Sequence, residues 1–249
     1  MRERQLSNEH KEATPNNIFH VTVIGAACSG KSTLLGALQD RGFSVHTEPD
    51  NPVFPLFLEN PKKFAFQNQL HKTTQLMQLE ILDTKAEGLT DPHFRESGVL
   101  ATDIYNRYLH DQGLISDDQF TYLQWLYDHH LSTFPKPDLV VYLHANDDTI
   151  KNRAIKRDGL VAHDPHELQP YWDRLLADLE SRGIQVFRLN TGDHKVHESQ
   201  ELILDEVDRK KSPSVQAQQT EHAQHDESDE PVVGTITYRS IRLEATLPE

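Results

Sequence analysis

Residues Gly25 to Thr33 read G-A-A-C-S-G-K-S-T, a G-x-x-x-x-G-K-[ST] spacing. The apolar run Ile18-Phe19-His20-Val21-Thr22-Val23-Ile24 precedes it, and Leu34-Leu35-Gly36-Ala37-Leu38-Gln39 follows with helical periodicity. A glycine-bracketed loop between a strand and a helix turns successive backbone N–H groups toward one point, and the helix start adds its positive dipole end. Gly25, Ala26, Ala27, Cys28, Ser29, Gly30, Lys31, Ser32 and Thr33 are therefore the expected cradle of a nucleoside triphosphate. In that cradle Lys31 reaches the β- and γ-phosphates, and the Ser32 hydroxyl is a ligand for Mg²⁺.

A strand, loop and helix of this kind needs a sheet to belong to, and the sequence supplies one. Apolar runs at 43–46, 98–102, 139–143 and 184–189 join the first to give five predicted strands. Helical patterns separate them at about 31–40, 61–86, 104–112, 116–132, 147–157, 166–182 and 195–209. Unbroken apolar strands alternating with helices predict an α/β architecture: a five-stranded parallel sheet flanked by helices, the P-loop nucleotide-binding fold. Functional residues should then gather at the carboxyl ends of the strands. Residues 1–16 are polar and aperiodic and read as a flexible extension, 17–209 as the domain, and 210–249 as an acidic disordered tail. Within that tail Val232 to Tyr238 has strand propensity, but no pairing partner is legible.

The chain has 249 residues and a formal net charge of -14, which argues against a nucleic acid polymer as ligand, because neutralising a phosphate backbone needs a basic face. A small phosphorylated ligand needs only a few local cations. Cys28 is the single cysteine, so no intramolecular disulfide is available, and the amino terminus lacks an apolar signal core. A cytoplasmic protein with no membrane contact is the expectation.

The second predicted strand ends in Thr47-Glu48-Pro49-Asp50-Asn51-Pro52. A carboxylate facing the phosphate loop from there is placed to take a proton from an attacking hydroxyl, which makes Glu48 the candidate general base. After the fourth strand, Arg153 and Arg157 stand four apart on one helical face and can address one phosphate chain. Their guanidinium forks would neutralise charge on a transferring phosphoryl group.

From Glu48 onward, Glu48-Pro49, Asn51-Pro52, Phe57-Leu58-Glu59-Asn60-Pro61 and Phe64-Ala65-Phe66-Gln67-Asn68-Gln69-Leu70 resemble the deoxynucleoside kinase family. Leu109 to Ser116 and Pro137 to Leu143 resemble two further stretches of that family in the right order, and the likeness covers about residues 18–190. It implies an ATP- and Mg²⁺-dependent kinase of a nucleoside 5′-hydroxyl, working as a homodimer, with Glu48 as the base and Gln67 on the edge of the nucleobase. Phe54, Phe57 and Phe66 would form an aromatic wall, and Asp103, read as ending the third strand, would stand near Mg²⁺ with Ser32. Lys151 to Gly159 would be the basic lid that closes on the triphosphate. The pattern departs from the family after Asp103, where Ile104-Tyr105-Asn106-Arg107 replaces the usual arginine and serine and leaves Arg107 to reach in from the next turn. Gly159 stands where a third lid arginine is expected. Two other readings share the loop: a kinase of ribosylnicotinamide or of a nucleoside monophosphate, and a nucleotide-binding regulatory protein with little turnover.

Overall fold

The computed structural model describes residues 18–84, 86, 88–158 and 165–212. The expected extension at 1–16, the tail beyond 212 with its strand-prone stretch, and Gly159 of the lid lie outside the described residues. The compact unit that carries the sheet ends at Asp208.

In chain order the elements are β1 (His20–Ile24), α1 (Lys31–Asp40), β2 (Val45–His46), α2 (Phe54–Glu59), α3 (Pro61–Asp83) and β3 (His93–Glu96). A short 3₁₀ turn (Val99–Ala101) leads into α4 (Thr102–Asp111), followed by α5 (Asp117–Thr133), β4 (Leu139–His144) and α6 (Asp147–Asp158). The remainder is α7 (Pro165–Ser181), β5 (Val186–Asn190) and α8 (Val196–Lys211). All five strands are parallel, in the order β2-β3-β1-β4-β5, with Val21 of β1 opposite Phe94 of β3 and Leu139 of β4. Alternation along each strand feeds two cores. Val21, Val23, Val141 and Leu143 pack with Leu35 and Leu38 of α1 and Ile203 of α8 on one face. Ile24, Val140 and Tyr142 pack with Trp172, Leu175 and Leu179 of α7 on the other. Burying both faces of the inner strands is what a parallel sheet with helical crossovers requires.

Local chemistry sets the element ends. Asn60 caps α3 by accepting from the Lys63 N–H at 3.1 Å, with Pro61 at the first helical position. Ser116 and Gln119 form a reciprocal capping box at the start of α5. Gly25 is required where β1 enters the loop: its φ is 151°, and a methyl group on its Cα would lie 2.3 Å from the Leu143 carbonyl oxygen.

One strand differs from expectation. The third strand is His93–Glu96, whereas the run at 98–102 forms the 3₁₀ turn and the first residue of α4. Three of its four residues, His93, Arg95 and Glu96, are polar but buried, so they hide the strand from an apolar-run reading. The chain then turns through Ser97 and Gly98, with φ of 63° and 57°, which ends the strand before the apolar run begins. The short α2, made of Phe54 to Glu59 behind a proline-rich turn, is likewise absent from the sequence expectation.

Candidate active site

A cleft of 1570 Å³ opens where the loops after β1, β2 and β3 meet α2, α3 and α6. Its floor is the phosphate loop. The Lys31 ammonium donates to the carbonyls of Gly25 at 2.8 Å and Ala26 at 3.1 Å, which curls it over the loop mouth. Burial pushes its pKa below the usual lysine value; Glu96 pulls the other way, and the Arg157 guanidinium adds to the depression. Cys28 holds a left-handed backbone, φ 63°, that lets the loop close. Of the loop residues, Gly25, Ala27, Cys28, Gly30, Lys31, Ser32 and Thr33 line the cleft, while Ala26 packs toward the apolar face of α7 and Ser29 is buried beneath the loop.

The Ser32 hydroxyl donates to Glu96 Oε1 at 3.1 Å. Glu96 ends β3, is buried, and lies 3.4 Å through its other oxygen from the Glu48 backbone nitrogen. Sequence reasoning missed this carboxylate because it gave β3 the wrong residues. Asp103 was expected here, but it belongs to the first turn of α4, seven positions on. Its oxygens are taken by Arg107 Nε at 2.7 Å and Gln124 Nε2 at 2.6 Å, and Arg107 bonds Gln124 Oε1 at 2.7 Å. This triad ties α4 to α5, and neither Asp103 nor Arg107 lines the cleft. The hydroxyl of Ser32 beside the carboxylate of Glu96 is a hard oxygen pair, which fits Mg²⁺.

Glu48 faces the cleft at the end of β2 and forms an ion pair with Lys72 of α3. Burial lowers the Lys72 pKa to about 8, with Glu96 opposing and Lys31 assisting. Helix α3 also holds the turn that carries Glu48: Asn51 donates from Nδ2 to Asn68 Oδ1 at 2.8 Å, and Gln75 donates to the Asp50 carbonyl at 3.2 Å. Ala65, Asn68, Gln69, Lys72 and Leu76 repeat at helical spacing and face inward, and the last four line the cleft. Gln67 falls off this stripe. It is exposed and outside the cleft, so the amides of α3 that reach the cleft belong to Asn68 and Gln69. That stripe of polar residues between buried Ala65 and Leu76 is the signal that would have found them.

Phe54 and Phe57 line the cleft and stack on each other with centroids 6.1 Å apart, Phe57 buried and Phe54 half-exposed. Phe66 is outside it, packed edge-on against Tyr122 of α5 at 6.3 Å. From α6, Arg153 spans from the end of β5 to the loop: Nη1 donates to Thr191 Oγ1 and Nη2 to the Thr191 carbonyl, both at 2.9 Å, and Nη1 reaches the Cys28 carbonyl at 3.4 Å. Arg157, one turn on, also lines the cleft. The site thus gathers a phosphate cradle, two arginines, a hard-metal oxygen pair and a carboxylate at the mouth. A phosphoryl group could be held, neutralised and presented to an acceptor lying against α2 and α3.

The profile of the deoxynucleoside kinase family matches residues 21–210. A deoxyguanosine kinase of Lactobacillus johnsonii is 32% identical over 175 residues, which span 63% of this chain and 72% of the relative. One of Lactobacillus acidophilus is 30% identical over 184 residues, 68% of this chain and 73% of the relative. A solved structure of deoxyadenosine kinase from M. mycoides with bound dATP matches with a TM-score of 0.64, over 76% of this chain and 100% of that one, at 20% identity. The same kinase with the products dCMP and a flexible dCDP gives a TM-score of 0.65 at 18% identity, over 77% of this chain and 100% of that one. At such identities the structural likeness speaks for the fold. The chain belongs to the deoxynucleoside kinase family, in which a phosphoryl group passes from ATP to the 5′-hydroxyl of a nucleoside.

Proposed function

We propose that Glu48 is the base that takes the proton from the nucleoside 5′-hydroxyl, with the acceptor lying against Phe54, Phe57, Asn68 and Gln69. The observation that carries this is the position of the Glu48 carboxylate, fixed by its ion pair with Lys72 at the end of β2 and close to the Ser32–Glu96 pair. The phosphate loop and Lys31 hold the triphosphate, while Arg153 and Arg157 draw charge from the γ-phosphoryl oxygens as transfer proceeds. Ser32 and Glu96, rather than Asp103, would hold Mg²⁺, which when bound supplies neutralising charge to the phosphates. The names of the curated relatives make a purine deoxynucleoside the acceptor class proposed here.

We further propose a homodimer formed through α5, where Tyr122 and Trp125 stack at 6.2 Å while 46% and 57% exposed. A cytoplasmic location is part of the same reading; among the described residues no helix is long and apolar enough to cross a membrane. The test is a mass-spectrometric assay with Mg²⁺-ATP and separate deoxynucleosides, ribonucleosides, ribosylnicotinamide and nucleoside monophosphates. A deoxypurine 5′-monophosphate is expected. Glu48→Gln should bind ATP normally and turn over about 10² more slowly, the usual contribution of a positioned base. Unchanged turnover would remove Glu48 from the role, and product from ribosylnicotinamide or a monophosphate alone would replace the acceptor.

A further inference from the structure

A second group of chemistry-bearing side chains lies away from the cleft. His46 of β2, His93 of β3 and Asp83 at the end of α3 offer one imidazole nitrogen each and a carboxylate oxygen, all within 4.8 Å of one another. None of the three lines the active cleft. The sheet register explains the meeting: His46 is opposite Arg95, and His93 is two residues before Arg95, so all three point to the face on which α3 ends. We propose that His46, Asp83 and His93 bind a divalent transition metal of the Zn²⁺ class, at a site distinct from the Mg²⁺ position beside the phosphate loop.

Two independent observations point to a ligand there. His93 is fully buried, and its Nε2 has no hydrogen-bond partner, although Asp83 Oδ2 is 3.4 Å away. A buried imidazole nitrogen left in that state is costly unless something accepts its lone pair. Moreover, the surrounding contacts orient each donor as second-shell partners of metal ligands do. His93 Nδ1 is 3.0 Å from Ser44 Oγ, which itself lies 2.9 Å from Thr90 Oγ1. The Thr90 hydroxyl donates to the Pro92 carbonyl at 2.9 Å, which leaves the Ser44 proton to be shared between Thr90 and His93 Nδ1. In the tautomer that places the proton on Nδ1, Nε2 carries a bare lone pair open to a metal. Arg95 grips Asp83 through Oδ2 alone, at 2.7 Å from Nε and 2.5 Å from Nη2, so Oδ1 faces His46.

The His46 Nδ1 to Asp83 Oδ1 distance is 2.5 Å. On metal binding His46 Nδ1 becomes a ligand beside Asp83 Oδ1. Two imidazoles and one carboxylate suit Zn²⁺ or Co²⁺ and not Mg²⁺, with water in the remaining position; ligands about 2.1 Å from the ion would stand roughly 3.4 Å apart, a modest contraction of the present cluster. A metal here would join β2 to the end of α3 two residues before Glu48, and so stiffen the turn that carries it.

The test uses the full chain after chelator treatment, in excess Mg²⁺ and without nucleotide. Zn²⁺ is titrated by calorimetry and thermal melting, and Co²⁺ by visible absorption. The expected result is one ion per chain beyond what His46→Gln binds, a melting shift of several degrees at about 100 μM Zn²⁺, and tetrahedral Co²⁺ bands. His46→Gln, at a position half-open to solvent, should weaken binding at least ~10-fold, and His46→Cys, which restores a ligand, should recover it. Equal binding by wild type and His46→Gln, failure of His46→Cys to rescue, or the absence of tetrahedral bands would each overturn the site.

Discussion

Replacing Lys72 by methionine separates the cost of this site from its use. The Lys72 side chain is 17% exposed, and its pKa falls from 10.5 to about 8, chiefly through burial. A depression of that size corresponds to about 3 kcal/mol that the folded state lacks while the amine is charged, at about 1.4 kcal/mol per pKa unit. The sign follows from proton counts. Between pH 8 and 10.5 the unfolded chain holds the proton that the folded chain has released, so stability rises with pH over that window and levels off above it. Lys72→Met keeps the length of the side chain and removes the buried charge. The ion pair it loses is with Glu48, whose side chain is 37% exposed, and a pair of that kind returns at most about 1 kcal/mol. At pH 7 the variant should therefore be more stable than wild type by roughly 2 kcal/mol, with the difference vanishing by pH 10.5, and its turnover should fall with that of Glu48→Gln. Urea unfolding at pH 7, 8, 9 and 10 for both proteins, alongside turnover, provides the assay. Parallel pH curves, or a variant less stable at pH 7, would refute the reasoning.

The other expectations bear on separate parts of the cleft. Glu96→Gln should raise the Mg²⁺ concentration for half-maximal rate about 10-fold while leaving Mg²⁺-free nucleotide binding within twofold, measured by titrating the assay with Mg²⁺. Cys28→Gly should raise the melting temperature by about 2–4 °C, because a left-handed backbone costs a non-glycine residue about 1–2 kcal/mol, partly offset by the greater freedom of glycine in the unfolded chain. Gln69→Ala should increase the KM for the nucleoside about 10-fold, the worth of one lost hydrogen bond, while Gln67→Ala should change it less than twofold. Steady-state kinetics with the two variants decides which glutamine meets the base.

Most of the fold was legible because its strands and helices obey simple periods. The helices at 61–83, 117–133 and 165–181 fall within two or three residues of the expected ends, since their apolar stripes, Asn60 and Ser116 caps and following breakers all agree. β3 was not legible for the opposite reason. His93, Arg95 and Glu96 are polar residues whose burial is supported by partners distant in sequence, Ser44 for the first, Asp83 for the second and Ser32 for the third. Misplacing β3 put Asp103 at a strand end, whereas it stands in the first turn of α4 in a triad with Arg107 and Gln124. Gln67 stands off the cleft through helical phase: two positions along a helix turn a side chain by about 200°, enough to take it from the face of Gln69 to solvent.

The cleft brings opposed charges together. The chain carries a net charge of -14, yet Lys31, Lys72, Arg153 and Arg157 all line the cleft, against Glu48, Asp50 and Glu96. Exposed charges farther away than about 8 Å are largely screened at physiological ionic strength, so a polyphosphate inside the cleft responds to these residues and not to the acidic remainder. The two carboxylates nearest the phosphate loop are held there by separate partners, Glu48 by Lys72 and Glu96 by Ser32. Lys72 enters from α3, and no position in the strand-to-helix connection after β3 supplies a cation to the cleft. A lysine from a neighbouring helix thus supplies the positive charge beside the Glu48 carboxylate.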